Sequence, residues 1–146
     1  MIFAIDPGTT QSGWVLFGGK GVIDSGVADN HDLLRWVQAG QGADMLAIEM
    51  IAGMGMTVGQ TTFETCRWIG RFQQAWRAPE DVKFIYRRDV KQHLCGNQQA
   101  KDKNIRQSLI DMLGAPGTKK APGSTYGVVS HAWSALAVAV TAGAKS

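Results

Sequence analysis

Two carboxylates and one imidazole in this 146-residue chain occupy positions where chemistry could use them. Asp6 ends an apolar run, Met1-Ile2-Phe3-Ala4-Ile5, and is followed at once by Pro7-Gly8-Thr9-Thr10. Proline fixes φ at the second position of a turn and glycine supplies a positive φ at the third, so the backbone is expected to reverse directly after the acid. A carboxylate beside a core is costly unless it caps its own turn, meets an arginine or backbone donors, or binds a metal ion. Glu49 closes a second strand-like run, Ala43-Asp44-Met45-Leu46-Ala47-Ile48, before glycine-rich sequence. If the two strands are neighbours in one sheet, Asp6 and Glu49 meet at its crevice edge, where α/β sheets place ligands, and their repulsion asks for a cation. His131 belongs to the first turn of a last helix, with Ser134 three residues on and on the same face. An Asp/Glu/His set suits a divalent ion held mainly by oxygen, Mg²⁺ or Mn²⁺. Taken singly, each residue has an ordinary alternative: a turn cap for Asp6, a solvated strand end for Glu49, a structural histidine for His131.

These residues need elements to hold them. Three short strands are expected first, Ile2 to Asp6, Gly13 to Phe17 and Gly21 to Val27, in an antiparallel meander whose second turn is Gly18-Gly19-Lys20. Asp29, Asn30 or His31 starts a helix carrying Leu33, Leu34, Trp36 and Val37 that stops near Gly40, and the Glu49 strand follows. After the glycine-rich stretch 52–56 comes the longest helical pattern, from Thr57 to Arg77. Val58, Thr62, Cys66, Ile69, Phe72 and Trp76 form one stripe of it, and Gln60, Glu64, Arg67, Arg71 and Gln74 another. A strand at Val82 to Tyr86 precedes helices at Asp89 to Leu94 and Asp102 to Leu113, stopped by Gly96 and Gly114. Residues 115–127 read as a mobile surface loop, and the closing helix, His131 to Thr141, takes Ser130 as its N-cap. This is an α/β order, βββαβαβα and then further helix.

Composition bounds the setting. With 45% hydrophobic and 18% charged residues, the chain fits one globular domain spanning 1–146 with a real core. No apolar run approaches a membrane span and the N-terminus lacks the pattern of a secretory signal, so a cytoplasmic location is expected. Cys66 and Cys95 lack metal-ligand spacing and read as reduced, partly buried thiols, although sequence alone leaves pairing open. The net charge of +3 conceals an asymmetry: between Lys83 and Lys120 nine basic residues face three acids, a local balance of +6. Such a zone suits a polyanion, of which nucleic acid is the commonest.

Four segments carry a resemblance: 4–13 (Ala-Ile-Asp-Pro-Gly-Thr-Thr-Gln-Ser-Gly), 47–49 (Ala-Ile-Glu), 88–92 (Arg-Asp-Val-Lys-Gln) with Gly96, and 131–139 (His-Ala-Trp-Ser-Ala-Leu-Ala-Val-Ala). In this order, over nearly the full length, the chain resembles the RuvC-type Holliday junction resolvases of the RNase H-like nuclease superfamily, in particular its small phage-type members. The resemblance implies an RNase H-like, five-stranded mixed sheet, first three strands antiparallel, flanked by helices. It implies a homodimeric endodeoxyribonuclease that resolves four-way junctions and related branched DNA by paired nicks leaving 5′-phosphates, with two Mg²⁺ or Mn²⁺ ions per site. Asp6, Glu49 and His131 match its catalytic metal ligands. Ser134 departs from the pattern where the family usually has a last aspartate. Ser134 could hold a metal-bound water, Asp102 could substitute, or the departure slows cleavage.

By the same resemblance Arg88 and Lys91 contact backbone phosphates and Lys101 or Lys103 adds a cation near the scissile phosphate. The long helix is the dimer face, with Arg67 and Arg71 available to reach DNA. Met54 and Met56 serve either as wedges against unstacked bases or in ordinary packing. Two other functions stand beside this one. Loss of the fourth carboxylate would suit a junction-binding protein with little or no cleavage. The Asp-x-Gly-Thr-Thr opening also resembles the phosphate loop of the actin, heat-shock chaperone and sugar-kinase superfamily, against which the chain's length argues, since those proteins enclose nucleotide between two such domains.

Overall fold

The computed structural model describes residues 1–53 and 55–145. Continuous apolar runs, buried on both faces, form the middle of the sheet. Strand β1 (Ile2–Asp6) pairs antiparallel with β2 (Gln11–Gly18), which pairs antiparallel with β3 (Gly21–Asp29) across the Gly-Gly-Lys turn. On its other side β1 pairs in parallel with β4 (Met45–Met50), and β5 (Lys83–Tyr86) adds in parallel beyond it. The order β3-β2-β1-β4-β5 makes β1 the middle strand of five, and the first three are antiparallel as expected.

Helices cover both faces. Phe3, Ile5, Leu46 and Ile48 pack against Leu33 and Val37 of α1 (Asn30–Ala39) and Trp68, Ile69 and Phe72 of α2 (Gln60–Ala75). Ala4, Val15, Ala47 and Ile85 pack on the other side against α5 (Ala132–Lys145), supported by Val90 of α3 (Arg87–Cys95) and Ile105 and Leu109 of α4 (Asp102–Leu113). Alanines at the middle of β1 and β4 meet the alanine-rich α5, so helix and sheet approach closely and its Leu136 and Val138 are fully buried.

Several local expectations are corrected. Gly8 is not in a left-handed conformation; its requirement is steric, because a Cβ there would stand 2.3 Å from the carbonyl oxygen of Gln11. The long helix is shorter than 57–77, and its buried residues are Thr65, Trp68, Ile69 and Phe72, all from its middle and second half. Val58 precedes the helix and is exposed, and Cys66 is exposed because it turns away from the buried stripe of Thr65, Trp68, Ile69 and Phe72. Helix α3 starts at Arg87, because Asp89 is the third residue of a capping box and accepts from the Tyr86 N–H at 3.4 Å. Ser130 cannot be the extended N-cap, for its φ is +49°. The stretch 115–127 is a surface loop, as expected, closed by its own hydrogen bonds. Gly117 bridges Pro122, the Gly123 N–H donates to the Pro116 carbonyl at 2.8 Å, and the buried Thr125 hydroxyl donates to that of Gly114 at 2.8 Å. Both cysteines are free thiols; Cys95 is half-buried with its sulfur 3.5 Å from the Ser108 hydroxyl.

Candidate functional site

Strand phase decides where the carboxylates emerge. On β1, Phe3 and Ile5 face α1 and α2 while Ala4 faces α5, so Asp6, in phase with Ala4, comes out on the α5 side. On β4 the same holds for Ala47 and then Glu49. The ladder that pairs Ile5 with Ile48 brings the two acids side by side one residue later. Both side chains are largely buried, 13% exposed for Asp6 and 18% for Glu49. Burial pushes Glu49 up from an ordinary 4.5 to about 8, the charge of Asp6 and a hydrogen bond with it push the same way, and Arg87 opposes them. Asp6 is raised too, by burial first, with the Glu49 hydrogen bond and Arg87 pulling it down and the Asp102 charge adding a little upward. At neutral pH the pair therefore keeps a proton between its two carboxyls.

The turn after Asp6 is held by other residues. The Gly8 N–H donates to Ser12 Oγ at 3.1 Å, that hydroxyl donates to Asn30 Oδ1 at 2.5 Å, and Asn30 Nδ2 returns to the Gly8 carbonyl at 2.9 Å. Ser12 and Asn30 are almost wholly buried, and the Asn30 N–H also ties to the Thr10 carbonyl at 2.9 Å. With the turn closed in this way, Oδ2 of Asp6 lies instead 3.2 Å from Nδ1 of His131. His131 reaches it because Gly13, the partner of Asp6 across the β1–β2 ladder, has no side chain: a Cβ there would sit 2.3 Å from the His131 carbonyl oxygen. His131 precedes α5 rather than lying in its first turn, and its carbonyl accepts the first helical bond, from Ala135, at 3.1 Å. The imidazole is 71% exposed, facing outward from a buried acid.

Arg87, in sequence only one of the nine basic residues between Lys83 and Lys120, completes the arrangement. Its Nη1 lies 3.5 Å from Glu49 Oε1 while its other terminal nitrogen pairs with Asp102. The signal was available: Arg87 follows a strand that ends beside β4, the same crevice edge that singled out Asp6 and Glu49. Two clefts meet at this arginine. One, of about 470 Å³, is lined by Asp102, Lys103, Arg106, His131, Trp133 and Ser134. The other, of about 660 Å³, is lined by Glu49, Gly53, Arg88, Lys91, Gln98 and Gln99. Arg106, also unremarked beyond its charge, stacks over the Trp133 ring at 4.7 Å, and Arg88 over Tyr86 at 4.6 Å.

The sequence-predicted residues divide accordingly. Asp6, Glu49, His131, Ser134, Arg88, Lys91 and Lys103 line or adjoin the clefts. Lys101 lines neither; it precedes α4, where its N–H donates to Asn104 Oδ1 at 2.9 Å. Arg67 and Arg71 lie on α2, across the sheet, the first paired with Glu64 at 3.2 Å and the second over Trp68 at 4.0 Å. Met56 is exposed and lines neither cleft, and Met54 lies outside the described residues.

Among the described residues no three Asp, Glu, His or Cys side chains form a ready-made metal cage. Asp6 instead meets His131 on one side and Glu49 on the other. The donors nonetheless fit a hard divalent cation. Glu49 Oε1 is buried and accepts no hydrogen bond, which is an open ligand position, and it stands in a pair of carboxyls that burial has left short of countercharge.

No family model matches this sequence, and no curated protein matches it significantly. Solved structures do match it. A Thermus thermophilus RuvC in complex with Holliday junction substrate superposes with a TM-score of 0.71 at 20% identity, covering 96% of this chain and 90% of that one. A second Thermus thermophilus RuvC structure gives 0.67 at 22% identity, covering 96% and 91%. The chain thus has the RuvC fold, an RNase H-like mixed sheet with helices on both faces.

Proposed function

We propose that this protein is a divalent-cation-dependent endodeoxyribonuclease that cuts four-way DNA junctions and related branches by paired nicks leaving 5′-phosphates. The observation that carries the reading is a buried pair of carboxyls, Asp6 and Glu49, at adjacent strand ends of a RuvC fold, with His131 against Asp6. Its RuvC neighbour was captured with Holliday junction substrate, which supports the same class of partner here. Asp6, Glu49 and His131 would hold Mg²⁺ or Mn²⁺, two ions per site. Such ions supply a polarised attacking water and charge compensation for the departing 3′-oxygen. In the reaction a water oxygen bonds to phosphorus and the P–O3′ bond breaks, leaving a 3′-hydroxyl and a 5′-phosphate. The chain's own cations do the positioning: Arg88 and Lys91 along one cleft, Lys103 and Arg106 along the other, with the carboxyls between them. A polyanionic strand laid across both clefts brings its phosphodiester to the acids.

Four-way junctions have two strands of like polarity to cut, and a two-fold homodimer matches them. Helix α2 suits that interface, because Phe63 near its start and Met56 and Val58 just before it expose apolar side chains. One chain forms one domain of this assembly, acting in the cytoplasm.

The test incubates a labelled four-way junction with the protein and Mg²⁺ or Mn²⁺. Wild type should nick symmetrically, whereas Asp6→Asn and Glu49→Gln should bind the junction and leave it uncut. Binding lost in step with cutting would overturn the assignment of these acids. Ser134 supports a second reading, because it lines the cleft beside His131 where a further carboxylate would complete the ligand set. A junction-binding protein with feeble cleavage would gain nicking only as Ser134→Asp.

A further inference from the structure

Arg87 stands between two acids in unlike surroundings. Toward Glu49 it makes a 3.5 Å ionic contact to an Oε1 that is buried and accepts no hydrogen bond. Toward Asp102 it makes a close pair with a carboxylate that is 88% exposed and already solvated. The first acid needs the guanidinium, since a buried carboxyl without countercharge is costly, while the second only offers it a place to go. Backbone on both sides is fixed. Arg87 opens α3 behind the Tyr86–Asp89 capping box, and Asp102 opens α4, which buries Ile105 and Leu109. The side chain alone is left to choose between partners.

A guanidinium beside a carboxyl pair does electrostatically what a divalent cation would do there, and both cannot occupy the same side of Glu49 Oε1. Its planar fork of donors lets one arginine touch both acids at once, which a lysine point charge cannot do. Building on the metal-dependent reading above, we propose that Arg87 and Asp102 form a displaceable latch: Arg87 shields Glu49 in the cation-free protein, and Asp102 takes the guanidinium over when a divalent ion reaches Glu49. The latch keeps two adjacent buried carboxyls tolerable while the site is empty and yields the site on loading. Asp102 then acts through Arg87, as a positioning residue and not as a ligand.

The experiment measures Mn²⁺ affinity by calorimetry on the intact protein without DNA, for wild type, Arg87→Gln, Asp102→Asn and the double variant. Arg87→Gln should bind Mn²⁺ more tightly, because its competitor is gone. Asp102→Asn should bind roughly tenfold more weakly, at the low end for loss of an outer partner. In the Arg87→Gln background, Asp102→Asn should change affinity by less than about twofold, since the coupling runs through the arginine. Asp102→Glu, which keeps a carboxylate in reach of the guanidinium, should keep wild-type affinity; if Arg87→Gln proves too unstable to assay, Arg87→Lys, which cannot touch both acids, takes its place in the cycle and should abolish the effect of Asp102→Asn in the same way. A tenfold loss that persists in the double variant would make Asp102 a ligand and overturn the latch, as would equal affinities in all four proteins. Absence of Mn²⁺ binding from every protein, wild type included, would sink the metal-dependent reading itself and the latch with it.

Discussion

The two faces of the sheet are finished in opposite ways. On the α5 side the apolar packing is closed and its strand ends carry polar groups into the protein: two buried carboxyls, an arginine between acids, and a histidine brought in by a missing side chain. On the α2 side the core is closed only beneath the middle and second half of the helix, while Phe63 near its start and Met56 and Val58 before it lie in solvent. One face holds unfavourable polar burial, the other unfavourable apolar exposure. Each is the kind of local cost a protein retains where something else is to bind; under the proposed function that is a cation and phosphate in the first case and an apolar surface in the second.

The sharpest way to break the comparison is at Asp6. Metal-assisted charge compensation is worth several kcal/mol in a transition state, so Asp6→Asn should reduce junction nicking by roughly a thousandfold, measured in single-turnover cleavage. Junction binding should stay near wild type, because the positive cleft walls are untouched. A variant that still cuts within tenfold of wild type would leave the α5 face without its proposed role.

The next effect concerns packing. Gly13→Ala would drive a methyl to within 2.3 Å of the His131 carbonyl, in backbone that cannot simply rotate away. It should cost about 2–3 kcal/mol in chemical denaturation, toward the upper end for overpacking, and lower nicking by moving the imidazole from Asp6. Unchanged stability would mean that the start of α5 yields more easily than its contacts imply.

Gly13 also shows what a sequence makes legible. The strands and the candidate carboxylates are legible because each acid ends a continuous apolar run just before a turn or glycine-rich stretch, and two such strand ends, if neighbours in one sheet, meet at its crevice edge. Long-range contacts carry no such local signature. The Ser12–Asn30 pair that closes the turn after Asp6 joins residues 18 apart, and nothing in Asn30's neighbours marks it as wholly buried. Gly8 was expected to supply a positive φ, but its real constraint is the Gln11 carbonyl, a clash visible only once the chain has turned. Arg87 was hidden among nine basic residues because charge counting weighs them equally, whereas burial beside Glu49 separates one from the rest. The stripe expected through Val58 and Cys66 is rotated on α2 to Thr65, Trp68, Ile69 and Phe72, because periodicity offers more than one face and does not say where the helix starts.

A pH series sharpens the α5 side further. Glu49 is raised from 4.5 to about 8, so between those values the folded protein holds a proton that the unfolded chain has released. Stability in metal-free buffer is therefore greatest below that window and is lost as pH rises through it. Glu49→Gln removes the titration. At pH 9 it should be more stable than wild type by roughly 2 kcal/mol after the cost of burying an amide, and near pH 5, where only that cost remains, less stable by a similar amount, the two curves crossing in between. Adding Mn²⁺ should reverse the ranking at high pH, because only wild type offers the ion both carboxylates. Parallel pH curves for the two proteins would show that Glu49 is ionised without penalty, and the polar burial on this face would no longer be a cost.

The smallest effect belongs to α2, and it tests the other half of the comparison. Phe63 is 57% exposed, so Phe63→Glu should change the stability of the isolated protomer by no more than about 0.5 kcal/mol, as surface substitutions usually do. If the apolar start of the helix meets a second copy, the same charge is placed in an interface and should raise the dimer dissociation constant at least tenfold, read by light scattering across a dilution series. Paired nicking should then decay into single nicks while cutting per site persists, because the carboxyls lie across the sheet and do not depend on the contact. The two readouts separate what each face does: cutting follows Asp6 and Glu49, symmetry follows Phe63. A protein that is monomeric at every concentration, with or without the glutamate, would mean that the apolar exposure on α2 has some purpose other than self-association.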